Sequence, residues 1–282
     1  MKKLITRTLT GAIYVLLLVG CTIFSPVTAF FFFALAAAAT LWEFSSIMNK
    51  RAHTNIPRPI NSLAGFILVA AVWLSTIANT DATKKAFALY GLLLIYVLVS
   101  ELYRKAEHPL RNWTFCFGSQ VYIALPFALL PLLCNVYDTE TGPFAYDCVK
   151  PMALFIFLWV NDTFAYLFGC SLGKVFTPKL FPRISPKKSW IGSIGGGLFT
   201  LGAAIACCYY WPKVMPLEIW LGFAVVVIVF GTWGDLVESH IKRQLSIKDS
   251  GHILPGHGGL LDRFDSSLLA IPATVIYFIL CG

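Results

Sequence analysis

The sequence predicts an all-α, polytopic integral membrane protein with about nine transmembrane helices. Three observations carry that prediction. Hydrophobic residues make up 57% of the chain and charged residues 13%, whereas soluble domains are roughly a quarter charged. Apolar runs long enough to cross the hydrocarbon core, which takes about 20 residues, recur along the whole length. Lysine and arginine alternate between the joining segments in the pattern that sets orientation in a bilayer.

The runs fall near 8–24, 27–47, 60–79, 86–103, 114–136, 151–169, 191–211, 216–237 and 261–281. The first is followed closely by the second and lacks an A-x-A-like cleavage site, so it reads as a retained helix rather than a signal peptide. In the second, the Phe- and Ala-rich stretch from Phe30 to Ala39 suits lipid contact and helix packing. The third, fourth and fifth carry charges almost only at their ends. The loop from Tyr137 to Cys148 is acidic through Asp138, Glu140 and Asp147. The sixth run contains Asn161, Asp162 and Thr163, and the seventh opens with Gly192, Gly195, Gly196 and Gly197. The eighth closes with Asp235 and Glu238, and the ninth begins with Asp262 and Asp265. With a cytoplasmic N-terminus, only Lys84, Lys85, Lys150 and Lys213 of the 22 lysines and arginines fall outside. That alternation supports nine crossings, with the C-terminus on the outer side; eight or ten would break it.

Several function classes are excluded. The net charge of +8 is mostly a topology signal, and the basic residues have no separate domain with which to bind nucleic acid. The eight cysteines include no C-x-x-C pair, and adjacent Cys207 and Cys208 cannot both serve one ordinary metal site; they read as small apolar fillers. No G-x-x-x-x-G-K-[ST] phosphate loop occurs. The chain reads as one membrane domain, with residues 1–137 as lipid-facing scaffold and residues 151–282 holding the catalytic helices and cytoplasmic loops.

The polar residues of that second part point to chemistry. A carboxylate inside a span, such as Asp162, is costly and usually functional or paired. Asp235 and Glu238 share a helix face at i, i+3, and Asp262 and Asp265 repeat the spacing. All five approach the cytoplasmic side. Oxygen-only ligation suits a hard cation such as magnesium, and histidine and cysteine are too sparse for zinc. His257, between glycines, reads as a hydrogen-bonding partner of phosphate or carboxylate, while His240 and His252 read as loop residues. Lys242, Arg243 and Lys248 precede the turn from Pro255 to Gly259, and Arg263 stands between the aspartates. A second basic cluster, Ser185, Lys187, Lys188 and Ser189, precedes the glycine-rich helix, whose free N-terminal amides can cradle an anion. The glycines themselves read as tight helix packing.

The run S-H-I-K-R-Q-L-S-I-K-D-S-G-H-I-L-P-G-H-G-G-L-L-D-R-F-D, Ser239 to Asp265, closely resembles the signature of phosphatidate cytidylyltransferases, or CDP-diacylglycerol synthases. S-P-K-K-S and N-D-T-F-A-Y resemble that family's other polar blocks. The resemblance covers about residues 160–265; the helices before it add only a compatible hydrophobic layout. One departure is visible: Ile191 stands where the family often carries a glutamate.

The resemblance implies cytidylyl transfer from CTP to phosphatidate, giving CDP-diacylglycerol and pyrophosphate with magnesium, in phospholipid biosynthesis. It also implies a homodimer in a bacterial inner membrane, and leaves a second, monovalent cation open. The lipid phosphate is already ionised near neutral pH, so the task is to bring two polyanions together and stabilise the leaving pyrophosphate. Asp235, Asp262 and Asp265 are expected to hold magnesium, with Asp162 a fourth catalytic carboxylate. Ser185, Lys187, Lys188, Ser189, Lys242, Arg243, Lys248, His257 and Arg263 are expected to bind phosphates. Two other readings are a CTP-dependent lipid kinase and a cation transporter, although a transporter's acids should reach both faces. A CDP-alcohol phosphotransferase is disfavoured because its D-G-x-x-A-R motif is absent.

Overall fold

Helices account for every predicted span. The computed structural model describes residues 2–77, 79–138, 142–173, 178–251 and 258–281; His252 and His257 lie outside them. In order, the helices are α1 (Lys2–Phe24), α2 (Pro26–Arg51), α3 (Arg58–Thr76), α4 (Thr80–Tyr103), α5 (Pro109–Ser119) and α6 (Leu125–Leu133). They continue as α7 (Val149–Ser171), α8 (Trp190–Tyr210), α9 (Leu217–Gln244) and α10 (Leu261–Cys281). Among the described residues, eight helices are long and apolar enough to cross a membrane, with α5 and α6 counted as one. The first predicted span is a shorter apolar helix, Leu9–Phe24, at the end of α1.

Local chemistry explains the breaks. Only Ser25 separates α1 from α2. Its hydroxyl accepts from Thr28 N, Thr28 Oγ1 accepts from Ser25 N, and Pro26 occupies the first helical position, so a new helix starts at once. The two segments read as loops each contain a short antiparallel hairpin: β1 (Asn135–Asp138) with β2 (Gly142–Tyr146), and β3 (Lys179–Phe181) with β4 (Ser185–Ser189). Both are too short to give a hydropathy signal, and the fold remains all-α in its spans.

The chain divides into two compact units. One comprises Met1–Cys148 with Ile247–Phe264, the other Val149–Ser246 with Asp265–Gly282. The first is organised around a buried polar knot. Asn61 Nδ2 donates to Ser45 Oγ and Ser119 Oγ, both at 2.9 Å, and Gln120 Nε2 donates to Asn61 O and Oδ1 at 2.8 and 2.7 Å. Gln120 opens a π-helical turn, Gln120–Ala124, that joins α5 to α6. Such hydrogen bonds tie spanning helices together where no hydrophobic force distinguishes a neighbour from lipid. In the second unit Phe157, Trp220 and Phe223 are fully buried and meet one another.

Lys187 precedes α8 and Lys213 follows it. The 21 residues of α8 reach about 30 Å at 1.5 Å per residue, enough to cross the hydrocarbon core. Single cysteines at Lys187 and Lys213 should therefore react with impermeant reagents from opposite faces of sealed vesicles, Lys187 from the cytoplasmic one. Labelling of both from one face would remove α8 as a span.

Candidate active site

Glycine lets the helices of the second unit approach closely enough to form a site. A Cβ on Gly192 would lie 2.7 Å from Ala165 O, and one on Gly196 would lie 2.6 Å from Asn161 O; α8 can meet α7 only if both positions lack side chains. At Gly234 the obstacle would be Asp265 O, again at 2.6 Å, which places the backbone beside Asp235 against that of Asp265. The hairpin β3–β4 feeds directly into α8, where Ser189 is the N-cap and its hydroxyl accepts from Gly192 N at 3.3 Å.

A pocket of about 620 Å³ opens between α7, β4, α8 and α9. Asp162, Lys187, Lys188, Ser189 and Asp235 all line it, so it brings together five residues selected from the sequence. Asp162 and Lys187 are exposed, and Ser189 is buried. Lys188 Nζ lies 2.5 Å from Asp235 Oδ2 and 3.5 Å from Thr232 O. The other Asp235 oxygen accepts from Ser239 Oγ at 3.3 Å. Asn161 also lines the pocket; it is 3% exposed, and its Oδ1 has no hydrogen-bond partner among the described residues. Ser185 is half-buried in β4, and Arg243 is exposed at the end of α9.

Asp235 belongs to a second grouping as well. Asp235, Glu238 and Asp265 each offer a carboxylate oxygen, and the three oxygens lie within 4.8 Å of one another. Glu238 is completely buried and ion-paired with Lys242 at 2.5 Å. Asp265 Oδ1 accepts from Ser266 N at 2.6 Å. Three convergent oxygen donors without histidine or cysteine fit a hard divalent cation such as magnesium.

Asp262 has a different setting in the first unit. Its Oδ2 accepts from Ser250 N at 2.9 Å and Gly259 N at 2.8 Å, with Ser250 Oγ 2.8 Å away. Gly258, at φ +84°, precedes the Gly259 amide in this turn, and a Cβ there would collide with the same carboxylate. Arg263 Nε is buried with no hydrogen-bond partner among the described residues, and Lys248 is exposed. The sequence reading missed Glu43 altogether. It is buried in α2, yet accepts hydrogen bonds from Ser250, Leu260 and Leu261. Nothing in W-E-F, positions 42–44, distinguishes it from an ordinary charge near a span end. Glu238 was recognised as sharing a face with Asp235 but not as part of a cation site.

Oxygen donors beside lysines, in a bundle of spanning helices, fit a membrane protein that handles phosphates. The comparisons with known proteins narrow that class. Residues 5–281 match the model of the cytidylyltransferase family. A phosphatidate cytidylyltransferase of Staphylococcus aureus (strain COL) is 32% identical over 277 residues, covering 97% of this chain and 98% of the relative. The phosphatidate cytidylyltransferase of Staphylococcus haemolyticus (strain JCSC1435) is 34% identical over 279 residues, with the same coverage. The chain belongs to the cytidylyltransferase family.

The Lys242–Glu238 pair gives a stability prediction. Removing one partner of a buried ion pair typically costs about 3–5 kcal/mol, whereas neutral replacement of both is often tolerated. Lys242→Met should lower the thermal midpoint of the detergent-solubilised protein clearly, and adding Glu238→Gln should recover most of the loss. Equal midpoints for the wild type and Lys242→Met would show that the pair contributes nothing.

Proposed function

We propose that this chain is a phosphatidate cytidylyltransferase, working with magnesium at the cytoplasmic edge of a bacterial inner membrane. The observation that carries the reading is the double membership of Asp235. It forms part of the wall of a lysine-lined pocket and part of a three-carboxylate cluster, so a phosphate in that pocket would meet lysines and a bound cation together. Family membership and the names of the relatives supply the reaction. The lysine distribution supports a cytoplasmic N-terminus, and the family resemblance supports a homodimer.

In this reaction an oxygen of the phosphatidate phosphate attacks the α-phosphorus of CTP. The bond from that phosphorus to the oxygen bridging to the β-phosphate breaks, and pyrophosphate leaves. The attacking oxygen is already ionised, so the residues need not remove a proton; their work is binding, orientation and charge stabilisation. Asp235, Glu238 and Asp265 would hold magnesium, with Asp262 added on the strength of the signature. When bound, the ion supplies charge neutralisation of phosphate oxygens. Lys187 and Lys188 would receive phosphate in the pocket that they line, and the Ser189-capped start of α8, which lines it too, would favour the phosphate's charge. Arg263 would give its guanidinium to an anion, and Asp162 would orient donors inside the pocket. Ser185, Lys242, Arg243, Lys248 and His257 complete the proposed phosphate contacts from the signature and its flanking loop, His257 from outside the described residues.

Purified protein given radiolabelled CTP, phosphatidate and magnesium should yield CDP-lipid and pyrophosphate. A phosphorylated lipid with CDP would instead identify a CTP-dependent kinase. Asp235→Asn should reduce kcat by at least about 100-fold, the scale on which loss of one electrostatic stabiliser is felt, with the fold intact by circular dichroism. Full activity in that variant would detach the pocket from the chemistry.

Lys248 tests the exposed side of the loop. A charge that binds substrate and transition state equally changes only KM on removal, whereas one acting on the leaving pyrophosphate lowers kcat. Lys248→Ala is expected to lower kcat with little change in KM for CTP or phosphatidate. Wild-type values of all three would leave Lys248 as a topology charge.

A further inference from the structure

Glu43 is a buried acid for which cytidylyl transfer has supplied no task. It lies in α2, eight residues before the helix ends, and is 4% exposed. A carboxylate in a spanning helix is costly unless donors surround it. Here every described donor comes from the segment 247–264, more than 200 residues away. Ser250 Oγ donates to Glu43 Oε1 at 2.5 Å, Leu261 N to Oε1 at 3.2 Å and Leu260 N to Oε2 at 2.9 Å. The Leu261 amide opens α10 and that of Leu260 immediately precedes it; the first N–H groups of a helix have no partners inside it. Glu43 is therefore a cap supplied from another helix, its negative charge set at the positive end of the α10 dipole.

The same contacts continue to Asp262. Ser250 stands between the two acids: its hydroxyl is 2.5 Å from Glu43 Oε1 and 2.8 Å from Asp262 Oδ2, and its amide donates to Asp262 Oδ2. Gly259 closes the ring, since its amide donates to Asp262 and a Cβ there would overlap both Glu43 Oε1 and Ser250 Oγ. Gly251 is constrained in the same way, its absent Cβ falling 2.8 Å from Glu43 Oε2. Two glycines of the signature thus owe their identity to a carboxylate from the N-terminal helices.

We infer that Glu43 is a positioning residue: through Ser250 and the first turn of α10 it sets where the Asp262 carboxylate stands. The consequence at Asp262 rests on the cytidylyltransferase reading; the mechanical link from Glu43 to the loop does not. Residues that orient a metal ligand without touching the metal typically contribute 10- to 100-fold to metal affinity or activity. A contribution of that size separates positioning from simple packing.

The test uses the full-length protein in detergent and two variants, Glu43→Gln and Ser250→Ala. Amide hydrogen exchange without metal or nucleotide should accelerate in the peptide covering 258–264 in both variants, and remain at wild-type rates in α3 and α7. In the transfer assay, the magnesium concentration for half-maximal rate should rise about tenfold or more. The double variant should be no worse than the weaker single one, because both changes cut one chain of contacts. If Glu43→Gln does not fold, Ser250→Ala alone must show both effects. Unchanged exchange at 258–264 with an unchanged magnesium requirement overturns the inference, as does acceleration spread evenly over all helices. A wild type that makes no CDP-lipid sinks the enzymatic reading instead, and the exchange result still decides the link between Glu43 and the loop.

Discussion

A carboxylate buried among apolar helices must be given partners, and that requirement organises both units of this protein. Isolated charges in hydrocarbon are too costly to persist, so each buried acid marks a place where the chain has been drawn into a specific geometry. Glu101 is held by Arg104 and Asn112, at 3.2 and 2.8 Å, and joins α4 to the start of α5. Glu43 gathers the loop before α10. Glu238 is met by Lys242 one turn further along α9. Hydrophobic patterning makes the helices, but the contacts of Glu101 with Asn112 and of Glu43 with Ser250, Leu260 and Leu261 tie separate elements together.

Glycine supplies the complementary constraint. Where carboxylates and their partners must come within hydrogen-bonding distance, backbones must come close too. Gly192 and Gly196 let α8 lie on α7 beside the pocket, Gly234 lets α9 approach Asp265, and Gly259 leaves room for Glu43. The first group was legible as small residues suited to helix packing. The pocket could not be read the same way, because its walls come from α7, β4, α8 and α9, and a linear pattern does not reveal which residues of separate elements converge.

Most of the fold was legible because crossing a bilayer imposes a length and a polarity that any spanning helix must show. All nine apolar runs are helices, and Asp162, Lys187, Lys188, Ser189 and Asp235 do share one pocket. The short hairpins escaped notice because a few paired residues carry no periodicity. Glu43 escaped for a different reason: its role depends on partners at 250, 260 and 261, and its neighbours Trp42 and Phe44 make it look like any acid near a helix end. The signature identified the segment around Asp262 but not the helix that holds it.

Of the three lysines in α9 and β4 that read as phosphate ligands, Lys188 and Lys242 are ion-paired, and the size of each interaction separates them. The Lys188–Asp235 pair is partly open to solvent, with side chains 24% and 29% exposed. Pairs in such settings contribute on the order of 1 kcal/mol or less, so Lys188 can exchange Asp235 for a phosphate oxygen at little cost. Glu238 has no exposure at all, and stripping its partner would leave a buried charge, at a cost of about 3–5 kcal/mol. Lys242 is therefore tied to Glu238 and can offer a phosphate only the protons that this pair leaves free, whereas Lys188 can leave its partner at little cost. The same difference gives the carboxylates distinct parts: Asp235 faces the pocket with an exchangeable partner, and Glu238 behind it has a fixed one that keeps the end of α9 in place.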